Sequence, residues 1–123
     1  MDAQRLLVVD DDPALVELMR RYLTRLGFQV ETCTSGAEAC RIFEQDPAGF
    51  AAVVADLSLA DVSGAEIAAR CAALSPRIRI LLSSGYPFSV ETIPESWRTR
   101  VAFLQKPFAP KMLGEAVQSL LAG

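Results

Sequence analysis

Polar residues of a few kinds close the apolar runs of this 123-residue chain, and their types suggest one chemistry. Asp10, Asp11 and Asp12 follow the apolar run 6–9, and Asp56 follows the run 51–55. Ser83 and Ser84 follow the run 78–82, and Lys106 stands just beyond the run 101–104. If those runs are neighbouring strands, three of the carboxylates converge at one end of a sheet. Carboxylates a few ångströms apart repel by about 4 kcal/mol per pair at an effective dielectric of about 20. A cation has to offset this. The chain has no histidine, and Cys33, Cys40 and Cys71 have no metal-ligand spacing. The donors would therefore all be oxygen, which suits a hard divalent ion, Mg²⁺ ahead of Mn²⁺ or Ca²⁺. A lysine and a hydroxyl beside a metal-bound carboxylate can hold the oxygens of a tetrahedral phosphoryl group. Asp56 then reads as a nucleophile that forms an aspartyl phosphate.

Each residue also has a plainer reading. Asp12, followed by Pro13, reads first as a helix cap. Asp10 and Asp11 alone could be a solvated strand end, and Lys106-Pro107 alone a surface turn. A single serine says nothing. Their recurrence at successive strand ends carries the argument, because ligands of open parallel sheets bind beyond the carboxyl ends of the strands.

The elements that would position these residues are legible in outline. The runs 6–9, 51–55, 78–82 and 101–104 are continuous and β-rich, as expected of parallel strands covered on both faces. The run 28–34 alternates and reads as an edge strand. Between them, Asp12-Pro13 opens a helix with Leu15, Leu18, Met19, Tyr22, Leu23 and Leu26 on a 3.6-residue stripe, and Gly27 closes it. Ser35 with Glu38, and Ser63 with Glu66, are spaced as capping boxes. Ile67, Cys71 and Leu74 would form the buried stripe of a third helix, and Leu113, Ala116, Val117, Leu120 and Leu121 that of a last helix opened by Pro110. Pro94 falls inside the fourth helical segment, 89–98, which should therefore be short, bent or displaced. Five strands alternating with five helices predict an α/β doubly wound sheet over a single domain, residues 1–123.

On the segments 7–13, 56–64, 82–86 and 103–108, the chain resembles the response-regulator receiver family over its full length. The resemblance implies a flavodoxin-like (βα)5 fold with strand order 2-1-3-4-5, and a two-component phosphorelay function. It implies that Asp10, Asp11 and Asp56 serve Mg²⁺ together with the backbone carbonyl of Ser58, and that Asp56 is the phosphoacceptor. It assigns Ser84, rather than Ser83, as the switch hydroxyl, Lys106 as its cationic partner and Phe103 as the switch aromatic. Gly64 keeps the family's spacing after the acceptor. The bond before Pro107 would be cis, aiming Lys106 into the site. Ser58 and Tyr86 fall at positions that set phosphoryl lifetime. A short uncharged serine and a ring that can lie over the phosphoryl group imply slow autodephosphorylation. Ala60 departs from the proline frequent at its place, and Phe103 lacks the hydroxyl of the more frequent tyrosine.

The implied partners are a histidine kinase or histidine phosphotransfer protein upstream, and an effector or attached domain downstream. The chain itself would be a monomer or weak homodimer. A net charge of -3 advertises neither nucleic acid nor an anionic membrane as a partner. No apolar stretch approaches a membrane span, the first residues lack a signal-peptide core, and three unpaired thiols suit a reducing interior, so the expected location is cytoplasmic. The expected role is that of a signalling module and not an enzyme beyond its own phosphorylation and dephosphorylation. A haloacid-dehalogenase-type phosphatase needs a second acid two residues past its nucleophile, where Ser58 stands. A flavin or nucleotide fold would carry a Gly- or Ser/Thr-rich phosphate loop after its first strand, where three aspartates stand. The remaining alternative is a pseudo-receiver that docks without phosphorylation.

Overall fold

Strands that are apolar on both faces need cover on both faces, and alternation along each strand shows how this chain provides it. The computed structural model describes residues 3–122. Strands β1 (Arg5–Val9), β2 (Gln29–Cys33), β3 (Ala52–Asp56), β4 (Arg79–Ser84) and β5 (Val101–Gln105) form one parallel sheet in the order β2-β1-β3-β4-β5. They alternate with helices α1 (Pro13–Arg25), α2 (Gly36–Gln45), α3 (Gly64–Leu74), α4 (Glu95–Arg98) and α5 (Pro110–Ala122). This is the doubly wound order expected from the resemblance.

Leu6, Val8, Ala52, Val54 and Leu81 face Met19 and Leu23 of α1 and Leu113, Val117 and Leu120 of α5. The alternate residues Leu7, Val9, Val53, Ala55, Ile80 and Leu82 face Phe43 of α2 and Ile67, Ala68 and Cys71 of α3. Burying each large aliphatic side chain contributes about 1.5–3 kcal/mol, so the register is held from both faces at once. Cys33, Cys40 and Cys71 are free and buried in the second cluster. Burial pushes the thiols of Cys33 and Cys71 up to about 12, which suits core fillers and not nucleophiles.

Three expected stripe residues are exposed. Leu18, Leu26 and Leu74 are 49, 39 and 47% exposed, whereas Val16, absent from the expected stripe, is buried. Val16, Met19 and Leu23 already hold the inward face of α1 at spacings of three and four, which turns Leu18 outward. Leu26 is the C-cap and Leu74 the last helical residue, where the stripe has run past the sheet.

Pro94 has the effect expected of it. A residue without an amide hydrogen cannot continue the helical ladder, and α4 is a single turn with Pro94 at its N-cap, preceded by a 3₁₀ turn at Val90–Thr92. The Arg98 guanidinium satisfies the carbonyls left over. Its Nη2 donates to the carbonyls of Glu91 at 3.1 Å and Ile93 at 3.0 Å, and its Nε donates to Ile93 at 3.2 Å.

Candidate functional site

The register of the central strands brings the acidic residues together. β1 pairs β3 from Leu6 with Ala52 to Val9 with Ala55, so the next residues, Asp10 and Asp56, emerge side by side at the carboxyl end. Both are nearly buried, at 1 and 5% exposure, while Asp11 is exposed. Each of the three offers a carboxylate oxygen, and these oxygens lie within 4.8 Å of one another. At that distance and an effective dielectric of about 20, each charged pair repels by about 3.5 kcal/mol.

Lys106 offsets part of this. The Lys106 amide donates to the Ser84 carbonyl at 2.8 Å, and the peptide between Lys106 and Pro107 is cis. The ammonium Nζ lies 2.7 Å from Asp10 Oδ2 and 3.1 Å from Asp56 Oδ2, bridging the two buried carboxylates. The remaining oxygens are also occupied. Asp10 Oδ1 accepts the Asp12 amide at 3.0 Å, and Asp56 Oδ1 accepts the Ser58 amide at 2.9 Å. Burial pushes the Asp10 carboxyl above the ordinary carboxylate range, and hydrogen bonds from Lys106 and Asp12 pull it only part of the way back. Burial pulls the Lys106 ammonium down, but its bonds to Asp10 and Asp56 outweigh that and hold it above the ordinary lysine value. The two partners move in the same direction because Asp10 has lost nearly all its water while the lysine side chain keeps 23% of its surface.

The neighbouring strands supply the other residues. β3 pairs β4 with Asp56 opposite Ser83, whose carbonyl accepts the Leu57 amide at 2.8 Å, so Ser84 stands one residue farther out. Ser84 is buried, and its Oγ accepts the Tyr86 amide at 3.0 Å. The Tyr86 ring is 76% exposed. Phe103 is partly buried on β5, its ring 5.7 Å from that of Phe88. Gly64 opens α3 where no side chain fits, since a Cβ there would stand 2.5 Å from the Asp56 carbonyl oxygen. Asp12 caps α1, accepting the amides of Ala14 at 3.0 Å and Leu15 at 3.3 Å, as its plainer reading anticipated.

One residue of the same loop escaped the sequence reading. Asp61 lies five residues past Asp56, and its two oxygens accept the Gly36 and Ala37 amides of α2, each at 2.9 Å. These bonds hold its carboxyl down at about 2. Ser35 already accounted for the cap of α2, so nothing local pointed to a second acceptor.

The donor set fits a hard divalent cation, because three carboxylates converge with no nitrogen or sulfur ligand among them. The model of the response regulator receiver domain family matches residues 6–118. The chain is 28% identical over 116 residues to the transcriptional regulatory protein GlrR of Escherichia coli K12, covering 94% of this chain and 26% of that protein. It thus spans about a quarter of the length of that relative. A response regulator receiver protein from Sinorhizobium medicae matches with a TM-score of 0.83 at 28% identity, covering 98% of this chain and 96% of its own. The response regulator TrrA of Thermotoga maritima, solved in complex with Mg²⁺-BeF, matches with a TM-score of 0.79 at 28% identity, covering 95 and 98%.

Proposed function

The chain belongs to the response regulator receiver domain family, and from this we propose that Asp56 accepts a phosphoryl group in a Mg²⁺-dependent transfer from a partner phosphohistidine. Receiver domains are phosphoacceptor signalling modules of two-component systems. The observation that supports Asp56 as the acceptor is its setting: a nearly buried carboxylate between two other acids, bonded to the one lysine that also bonds Asp10.

In the transfer, an Asp56 carboxylate oxygen attacks phosphorus in line with the leaving group. An O–P bond forms as the P–N bond of the phosphohistidine breaks, and the bonding pair returns to the imidazole. Two lone-pair positions of the Asp56 carboxylate are taken, by Ser58 N–H and Lys106, which leaves about two for attack. Asp10, Asp11, Asp56 and the backbone carbonyl of Ser58 would hold Mg²⁺. When bound, that ion supplies positive charge against the phosphoryl oxygens. Lys106 has three ammonium protons, and two bonds to Asp10 and Asp56 leave capacity for a phosphoryl oxygen. The Ser84 oxygen accepts an amide, so its hydroxyl proton can turn to the same group. Moving Ser84 would release the Tyr86 amide and loosen the loop that carries Phe88 against Phe103, so Ser84 and Phe103 form the switch.

Upstream, the donor is a histidine kinase or histidine phosphotransfer protein. Downstream, the reader is an effector or attached domain; the chain covers about a quarter of the transcriptional regulatory protein it resembles. The relay operates in the cytoplasm. Among the described residues, no helix is long and apolar enough to cross a membrane. The test is incubation with acetyl phosphate and Mg²⁺ followed by intact-mass spectrometry. Wild type gains one phosphoryl group and Asp56→Asn gains none; undiminished phosphorylation of Asp56→Asn would refute the assignment.

A further inference from the structure

We propose that Asp61 is a positioning residue that straps the loop after Asp56 to the first turn of α2 and so sets the place of the Ser58 carbonyl. The inference rests on the Mg²⁺-dependent reading above and goes beyond it, to what holds the loop in place. Residues 57–63 link the acceptor to α3 and must present one carbonyl to the cation. A loop of this length has its own conformational freedom, and each unfixed residue costs free energy to order.

Four observations show how that freedom is removed. At the near end, Ser58 N–H is bonded to Asp56 Oδ1 at 2.9 Å. At the far end, Gly64 lies so close to Asp56 that a Cβ would meet its carbonyl oxygen at 2.5 Å and the Leu57 Cα at 2.9 Å. Between them, Leu59 is buried and anchors the middle of the loop in the core. The outer bend is left, and Asp61 holds it with two bonds to successive amides of a neighbouring helix, both 2.9 Å long. α2 is packed against the sheet through Ala39, Cys40 and Phe43, so the strap is tied to a rigid body.

The approach is close as well as polar. A Cβ on Gly36 would stand 2.6 Å from the Val62 carbonyl oxygen and 2.8 Å from the Val62 Cβ. The bend therefore lies directly on the α2 terminus. The first amides of a helix have no partner within it, and a carboxylate there gains from both hydrogen bonding and the helix dipole. The low position of the Asp61 carboxyl, about 2, is the counterpart of those bonds. Ser35 serves the same terminus differently. Its Oγ accepts the Glu38 amide at 3.1 Å and makes no link to the loop. It provides a control that weakens α2 but leaves the strap intact.

The experiment compares wild type, Asp61→Ala, Asp61→Asn and Ser35→Ala by Mg²⁺ titration calorimetry, and by amide hydrogen exchange in chelator. Asp61→Ala should bind Mg²⁺ on the order of tenfold more weakly, the low end of what loss of an orienting partner costs a metal site. The Ser58 amide should exchange faster in the same variant without metal. Asp61→Asn, which keeps one acceptor oxygen, should fall between. Ser35→Ala should keep wild-type affinity and wild-type exchange at Ser58. The difference between wild type and Asp61→Ala should persist in high salt, where the Debye length shrinks to a few ångströms and the lost charge is screened. Unchanged affinity and Ser58 exchange in Asp61→Ala would overturn the inference, as would an equal loss in Ser35→Ala. Wild-type protein that binds no Mg²⁺ would overturn the functional reading and this inference with it. Wild-type binding with an unaffected Asp61→Ala overturns this inference alone. If Asp61→Ala does not fold, the Asp61→Asn and Ser35→Ala pair decides by the same criteria.

Discussion

Lys106 is the only cation bonded to the acidic cluster among the described residues, and removing it tests the electrostatics of the site directly. In Lys106→Met, Asp10 and Asp56 lose bonds of 2.7 and 3.1 Å while remaining buried. A hydrogen bond to a charged group is worth about 1.5–3 kcal/mol, and breaking one partner out of a buried pair costs about 3–5 kcal/mol. The lower end applies, since the lysine side chain keeps 23% of its surface in solvent and water can follow it in. We expect a loss of about 3 kcal/mol in chelator, which for a chain of this length lowers Tm by about 10 °C. Mg²⁺ should then recover more stability in the variant than in wild type, because the ion meets carboxylates whose repulsion no cation has relieved. The assay is thermal and urea unfolding of wild type, Lys106→Met and the exposed control Lys111→Met, each with chelator and with Mg²⁺. A Lys106→Met variant within about 1 kcal/mol of wild type in chelator would refute the reasoning. So would a Mg²⁺-induced gain no larger than that of wild type.

Asp11 should behave in the opposite way. It is exposed, and Lys106 reaches Asp10 and Asp56 instead. Asp11→Ala should melt at or above the wild-type temperature in chelator and lose the Mg²⁺-induced gain; a melt several degrees below wild type would contradict this. The exposed Tyr86 ring should have little hold on phosphoryl lifetime. The decay of phosphorylated Tyr86→Ala should stay within about threefold of wild type, under 1 kcal/mol of barrier, and a tenfold faster decay would show that the ring closes over the phosphoryl group after all. Asp61 should contribute to the acid limb of stability. Its folded value of about 2 lies below the ordinary 3.8, so its contribution is complete above the ordinary value and is lost as pH falls through the folded one. The stability gap between wild type and Asp61→Asn should therefore narrow as pH falls from about 4 to about 2 in urea melts. A gap that stays constant over that window would show that the carboxylate bonds carry no linkage.

How far the site could be read from the chain depends on what converts sequence position into place. Ser84 is told from Ser83 only by the family resemblance, while Asp10 and Asp56 are legible because each stands at the end of a strand. Lys106 was legible for the same reason, although 96 residues separate it from Asp10. Beyond the strand ends this conversion stops. Tyr86 lies two residues past β4, where no ladder fixes the direction of its ring, and the ring stands in solvent. Leu18 and Leu26 matched a helical period, but a period does not say which of two adjacent apolar stripes faces the sheet.

Asp61 shows the limit most clearly, because its partners are amides, which every residue but proline carries. A carboxylate that bonds a lysine leaves two signatures in a sequence, one for each charge. A carboxylate that bonds backbone leaves one. Asp61 and Gly36 are 25 residues apart, and neither type nor spacing connects them. What connects them is the packing of α2 beside α3, which follows from Phe43, Ile67, Ala68 and Cys71 meeting on one face of the sheet. The proposed chemistry of this site rests on side chains at strand ends, while the proposed hold on its loop rests on how the helices lie. A variant series confined to Asp10, Asp11, Asp56, Ser84 and Lys106 would measure the first and leave the second untouched. Comparing Asp61→Ala with Ser35→Ala separates them, because both weaken the same helix end and only one frees the loop.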